Sequence, residues 1–234
     1  MLYLHRAERA DRLVDALAAV VADPLDDPMA SEIVAVHSRG IERWLAQELS
    51  TRLGASPSRT DGVSANVEFP FPSRVVGRGL RAVGGFDPET DPWRPERLVW
   101  PLLELVDAHR MEDWLAPLRP HLAHVEEAES ARSSRRFSAA RHIADLFDRY
   151  AIHRPEMVQA WASGRDVDGT GSALGGSFLW QPRLWRRVRD RVALTSPAER
   201  LTEAVRQLRA GAEVPDLPPR MSLFGLTALP ASYV

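Results

Sequence analysis

The run Ile33-Val34-Ala35-Val36 constrains the fold more than any other segment. It holds four consecutive apolar residues, three of them β-branched, followed by the turn His37-Ser38-Arg39-Gly40 and then by Ile41, Trp44, Leu45, Leu49 and Leu53. An uninterrupted apolar strand is covered on both faces, as in a parallel sheet, and the spacing beyond the turn is helical, so residues 33–53 predict a βα unit. A second unit precedes it. Leu2 to His5 reads as a short strand, and Leu13, Val14, Leu17, Val20 and Val21 share one helical face before Asp23-Pro24 ends the helix.

Gly54 to Gly62 is rich in Ser, Pro and Gly and reads as a loop, and Ala65 to Phe69 predicts a third short strand. Phe69-Pro70-Phe71-Pro72 ends that strand because proline has no N–H for a ladder, and a short helix is expected from Ser73 to about Val83. From Pro92 to about Gly211 the apolar spacing is helical throughout, as at Leu98, Leu102, Leu105 and Val106 and again at Phe137, Ile143, Leu146, Phe147 and Tyr150. Beyond Pro215 to Pro219, Met221 to Leu229 reads as a buried strand that rejoins the sheet. The expected fold class is α/β: a parallel sheet with a large all-helical insertion, divided as 1–90, 91–214 and 215–234. A sheet rarely stops five residues beyond Leu229, so Val234 is expected to end a fragment of a longer protein.

All 30 basic residues are Arg; there is no Lys and no Cys. A phosphate loop needs a Lys ammonium against the terminal phosphates, and Schiff-base chemistry needs a Lys amine, so neither is available in this segment. Without Cys there is no thiolate nucleophile, disulfide or Cys-ligated zinc, which suits a reducing, cytoplasmic setting. No stretch approaches the length of a membrane span, and the start lacks a secretory apolar core. With 30 basic against 32 acidic residues the net charge is -2, so contact with a nucleic acid has to use local patches.

Several constellations carry possible chemistry. The His37-Ser38-Arg39-Gly40 turn stands where α/β proteins bind anions, but it has one Gly and no following Lys-Ser/Thr, which argues against nucleotide binding. Arg39 and Arg43, four apart, can meet a phosphate or base edge from one helix face; the alternative is a solvated or locally paired Arg43. His121-x-x-His124 followed by Glu126 and Glu127 resembles a metal site without an evident third ligand, and His142 with Asp145 resembles an acid/base pair but fits an ordinary helix-surface contact. Gly169 to Gly176 follows a helical segment rather than a strand and reads as a flexible loop. Arg183, Arg186, Arg187, Arg189 and Arg191, interleaved with Trp180 and Trp185, read either as a stacking and phosphate surface or as the solvated side of a helix whose Trp185, Val188 and Val192 face a core. Arg132, Arg135, Arg136 and Arg141 form a similar cluster before Asp145.

Five blocks in order are familiar together: Val36-His-Ser-Arg-Gly-Ile-Glu-Arg-Trp-Leu45; Phe69-Pro-Phe-Pro72; Ala144-Asp-Leu-Phe-Asp-Arg-Tyr150 with Arg154-Pro155 and Trp161; Trp180-Gln-Pro-Arg-Leu-Trp185; and Phe224-Gly-Leu-Thr-Ala-Leu-Pro230. They resemble the amino-terminal part of the exodeoxyribonuclease V gamma chain, the RecC family, over essentially the whole chain. The resemblance implies a superfamily 1 helicase-like domain 1A that has lost its ATP site. It implies a scaffold between a RecB-like helicase-nuclease and a RecD-like helicase, with ATP and Mg used by those partners and no cofactor in this segment. It further implies a channel that receives single-stranded DNA from a forked substrate and scans it for the recombination signal Chi. Carried over by position, the DNA-binding candidates are His37, Arg39, Arg43, Phe71, Asp145, Leu146, Asp148 and Arg154. Arg suits bidentate contacts to base edges or phosphate, Asp accepts from exocyclic amines, and Phe and Leu press on unstacked bases. Ala7-Glu8 stands where the family pattern often has Ser-Asn, and some relatives have Gln in place of His37 and uncharged residues in place of Arg39 and Arg43; the implied signal then differs, or the channel binds without reading. Two other readings compete: a protein-interaction scaffold whose Trp180 and Trp185 dock partner subunits, and a metal-dependent enzyme built on His121 and His124.

Overall fold

The structure is a computed structural model that describes residues 2–27, 29–58, 62–84, 87, 89–122, 129–212 and 217–226. It divides into two compact units, one formed by the described residues of Met1–Val83 and Glu213–Leu229, the other by those of Gly84–Ala212.

In the first unit the branched run forms strand β1 (Glu32–Ala35), buried at every position. Helix α1 (Ala10–Val21) precedes it and helix α2 (Arg39–Ser50) follows. Strand β2 (Val67–Glu68), helix α3 (Pro72–Gly84) and strand β3 (Met221–Leu223) complete the unit. The sheet order is β2-β1-β3, and both pairings are parallel. Val34 and Val36, two apart and therefore on one face, pack with Val14, Leu17, Ala18, Leu45, Leu49 and Phe224 in one apolar cluster. Ser38 caps α2, its hydroxyl accepting from the Ile41 N–H at 3.2 Å, which ends the strand and starts the helix within three residues.

The third strand is shorter than the sequence predicts, for two local reasons. Asn66 lies at φ 56° and cannot extend the ladder backwards. Its Nδ2 donates to the carbonyls of Met29 (3.2 Å) and Ala30 (2.8 Å), and its Oδ1 accepts from the Ser31 hydroxyl (2.8 Å), which fixes the turn leading into β1. At the other end Pro70 has no N–H, yet its carbonyl accepts from the Val36 N–H at 3.0 Å.

Two expectations are corrected here. Leu2 to His5 forms no strand; Leu2 is 91% exposed, and no described strand pairs with the segment, so its apolar side chains and backbone gain neither burial nor ladder bonds. The returning strand does rejoin the sheet, but β3 lies at its edge, with Met221 and Leu223 exposed and only the following Phe224 buried. Residues 227–229 of that expected strand lie outside the described residues. Arg220, just before β3, donates to the buried Glu32 carboxylate and to the Asp23 carbonyl (2.6 Å), tying the returning segment to the start of β1.

The second unit is helical: α4 (Pro95–His109), a 3-10 turn (Asp113–Leu118), α5 (Arg119–Leu122), α6 (Glu129–His153), α7 (Pro155–Ala162), a second 3-10 turn (Gly176–Phe178), α8 (Trp180–Val192) and α9 (Pro197–Arg209). Helix α6 stops at Pro155, which forces Arg154 out of helical geometry (φ −141°, ψ 52°). The core centres on Trp93, Trp161 and Trp185, with ring centroids 5.6 Å (93–185) and 6.3 Å (161–185) apart. The buried indole N–H groups find carbonyls: Trp93 donates to Leu194 (3.0 Å) and Trp161 to Val167 (2.8 Å). Ser196 and Glu199 form a capping box on α9, and the Glu199 carboxylate also accepts three bonds from the Arg189 guanidinium. The buried Arg200 is neutralised by Asp91. No helix among the described residues is long and apolar enough to cross a membrane.

Candidate nucleic-acid interface

Because β1 and β2 are parallel, their carboxyl ends lie at one edge of the sheet. The Val36 N–H bonded to the Pro70 carbonyl brings the two chain exits side by side, with His37 following one and Phe71 the other. His37, Arg39 and Arg43 are exposed, and Phe71 is 42% exposed. Arg39 and Arg43 make no ion pair among the described residues. Helix α2 starts at this same edge, where its dipole favours an anion, with the Ile41 N–H of its first turn already donated to the Ser38 hydroxyl. An imidazole, two guanidinium groups and an open phenyl ring can together meet phosphate oxygens and stack on a base.

The other four predicted residues fall in the second unit. Asp145 and Asp148, three apart, share one face of α6, and both are half-buried, as is Leu146. Asp145 pairs with Arg141 at 3.5 Å, and Arg141 reaches Glu96 at 3.3 Å. Burial raises the Asp148 carboxyl above the usual aspartate range; the charges of Asp145, Glu96 and Asp91 add to the rise and Arg94 opposes it. Arg154 stands at the α6–α7 junction with an exposed side chain. The structure thus gathers His37, Arg39, Arg43 and Phe71 in one unit, and Asp145, Leu146, Asp148 and Arg154 in the other.

The remaining constellations resolve differently. His121 is exposed on the four-residue α5, and its companions His124, Glu126 and Glu127 lie outside the described residues. Among the described residues no three His, Cys, Asp or Glu side chains are arranged to hold a metal ion. His142 is exposed, and Asp145 turns to Arg141 instead. Most of the α8 arginines are engaged by other side chains of the same unit: Arg186 on Asp166 (2.8 Å), Arg189 on Glu199 (2.7 Å), Arg191 on Glu104 at the surface (2.9 Å), and Arg187 over the Trp114 ring at 4.4 Å. Trp185 is 1% exposed and belongs to the core, which removes it as a docking anchor, and Trp180 packs against the same core. The exposed aromatic pair is elsewhere, Trp100 on α4 and Phe137 on α6, with centroids 5.8 Å apart. Helical spacing marks Phe137 as one of the apolar positions of α6, and in the structure it is 41% exposed.

The glycine-containing segment is a loop, as expected, and it is hydrogen-bonded within itself. Asp168 Oδ1 accepts from the Thr170 N–H (2.8 Å), the Thr170 hydroxyl (2.7 Å) and the Ser172 N–H (3.0 Å), and Val167 bridges Ala173. The Thr170 hydroxyl bond and then the backbone bonds hold the Asp168 carboxyl below its ordinary value. An Asp followed two and four residues on by Thr and Ser is the sequence signal that would have revealed this turn.

A small parallel sheet whose middle and returning strands are separated by a helical unit defines an α/β protein with a helical insertion. The family description "RecC, N-terminal domain" matches residues 2–234. The chain is 44% identical over its whole length to RecBCD enzyme subunit RecC of Mycobacterium tuberculosis, and 42% identical to that of Mycolicibacterium smegmatis. It is 26% identical to the same subunit of Escherichia coli, again along the whole chain. The chain belongs to the RecC family, and it spans about a fifth of the length of these relatives, 20%, 19% and 20% respectively.

Proposed function

We propose that this chain is the amino-terminal segment of a non-catalytic, DNA-guiding subunit of a RecBCD-type helicase/exonuclease acting in double-strand break repair. Its sheet is read as a helicase-like domain 1A without an ATP site, because the turn after β1 offers one Gly and no Lys where a nucleotide's phosphates would be gripped. Nucleotide hydrolysis, with its Mg, then falls to RecB-like and RecD-like partners in the cytoplasm. The segment's part is to receive the unwound single strand of a forked substrate and scan it for Chi.

The observation that carries this reading is the group at the sheet's carboxyl edge: His37, Arg39 and Arg43 exposed around the start of α2, with Phe71 open beside them. Such a group binds a single strand through charge and stacking without needing a basic protein overall. The test is Arg39→Ala/Arg43→Ala in the full-length protein assembled with its partners. Single-strand affinity should fall and its salt dependence flatten by about two units. Unchanged binding with an unchanged response to the recombination signal removes the assignment.

One observation favours a second reading, an interaction scaffold that holds the helicase and nuclease subunits without reading bases. Trp100, 59% exposed against Phe137, has the character of an interface anchor. Loss of partner co-purification on Trp100→Ala/Phe137→Ala, with single-strand binding intact, favours that reading.

A further inference from the structure

The exposed Arg154 side chain rests against Gly169. A Cβ placed on Gly169 would stand 1.7 Å from Arg154 Nη1, 2.7 Å from Cζ and 2.8 Å from Cδ, so the guanidinium and the end of its stem occupy the space that a side chain at 169 would take. Gly169 is not among the positive-φ glycines, so its backbone would accept a side chain; the space is what excludes one. The turn that carries Gly169 is tied by many bonds. Asp168 Oδ1 collects three hydrogen bonds, the Val167 carbonyl accepts from the buried Trp161 indole, Leu174 N–H donates to the Asp166 carbonyl at 3.0 Å, and Arg186 ties Asp166 down at 2.8 Å. Arg154 itself makes no side-chain hydrogen bond or ion pair among the described residues. The Asp168 charge lies close enough for the two to interact, although Oδ1 is already filled by its own turn. An exposed guanidinium that rests against Gly169 and makes no bond of its own among the described residues has N–H groups left to meet two oxygens of one phosphate.

We infer that Gly169 is a positioning residue: the 166–174 turn is a shelf that orients the Arg154 guanidinium toward a backbone phosphate of a bound single strand. The inference rests on the reading of Arg154 as a DNA contact. A methyl group at 169 displaces the guanidinium while leaving its charge in the protein, so the variant separates orientation from charge. Gly175 supplies the control, since it sits in the same connection with an ordinary φ of −65° and nothing within 4 Å of its Cβ position.

The experiment measures binding of an oligothymidylate strand by the full-length protein across a salt series, for Gly169→Ala, Arg154→Ala, the double variant and Gly175→Ala, with melting temperatures alongside. Gly169→Ala and Arg154→Ala should each weaken binding on the order of tenfold, the loss of one charge-assisted contact, and Arg154→Ala should lower the salt slope by about one. The double variant should bind like Arg154→Ala alone, and Gly175→Ala like the native protein. Native binding by Gly169→Ala at an unchanged melting temperature, or additive losses in the double variant, overturns the shelf. If Arg154→Ala itself binds normally, the DNA reading of Arg154 fails, and a cryo-EM structure of Gly169→Ala decides the positioning claim separately: a displaced guanidinium upholds it, an unmoved one ends it.

Discussion

Replacing Trp185 by Ala discriminates sharply between two uses of the same residue. In the structure its ring is 1% exposed, 5.6 Å from Trp93 and 6.3 Å from Trp161, and held at the meeting of α8 with the rest of the core. Truncating a buried Trp removes its transfer free energy and leaves a cavity, a combined cost of about 3–5 kcal/mol, and two broken ring pairs place this site in the upper part of that range. About 4 kcal/mol raises the unfolded fraction by roughly a thousandfold. Trp100, 59% exposed, contributes chiefly its contact with Phe137, and Trp100→Ala should cost under about 1 kcal/mol. Urea denaturation followed by far-UV circular dichroism compares the two variants with the native chain. A loss below 1 kcal/mol for Trp185→Ala, or equal losses for both, would mean that the three-tryptophan core is misassigned and that Trp185 is available to partners after all.

Four further outcomes follow from local geometry. Asn66→Ala leaves a positive-φ residue without the bonds that hold the Met29 to Ser31 turn, and should lower stability by about 1–2 kcal/mol, while Asn66→Gly, which relieves the backbone, should cost less; thermal denaturation reads both. Ser196→Ala removes the α9 cap and should cost about 1 kcal/mol. Its partner Glu199 gives a pH signature: burial alone would raise this carboxyl, but the bonds from Arg189 and Ser196 and the Arg189 charge bring it below the usual glutamate value. Its contribution is therefore complete above the unfolded glutamate value of about 4.3 and is lost as pH falls through the depressed folded value, so Glu199→Gln should flatten the acid limb of a stability-versus-pH curve. Asp148 has the opposite sign. Its folded value is raised, first by burial, so it weakens the fold as pH rises from the unfolded aspartate range through the folded value, and Asp148→Asn should stabilise the protein at neutral pH with no gain in acid.

The elements that local chemistry dictates were legible in the sequence. The run at 33–36 marked β1, and helical spacing from Ile41 marked α2, although Arg39 and Gly40, expected in the turn, already belong to the helix that Ser38 caps. Helical spacing likewise marked α4 and the buried side of α8, where Trp185 and Val188 face inward. Features set by distant neighbours were not legible. Leu2 to Leu4 has a strand's composition but no pairing edge, and Met221 and Leu223 look like core until β3 is seen at the margin of the sheet. At the candidate site, exposure of His37, Arg39 and Arg43 follows from their place after a buried strand. The pairing of the α8 arginines with Asp166, Glu199 and Glu104 depends on contacts 10 to 87 residues away, as does the Arg154 contact with Gly169. A one-dimensional pattern cannot tell a spent cation from an available one.

The account stands or falls on where a single strand runs. A cryo-EM structure of the full-length protein with its partners and a forked DNA should place strand phosphates or bases within hydrogen-bonding reach of Arg39 and Arg43, with a base against Phe71. A strand that passes these side chains at a distance, with the carboxyl edge of the sheet filled by another polypeptide, would contradict it.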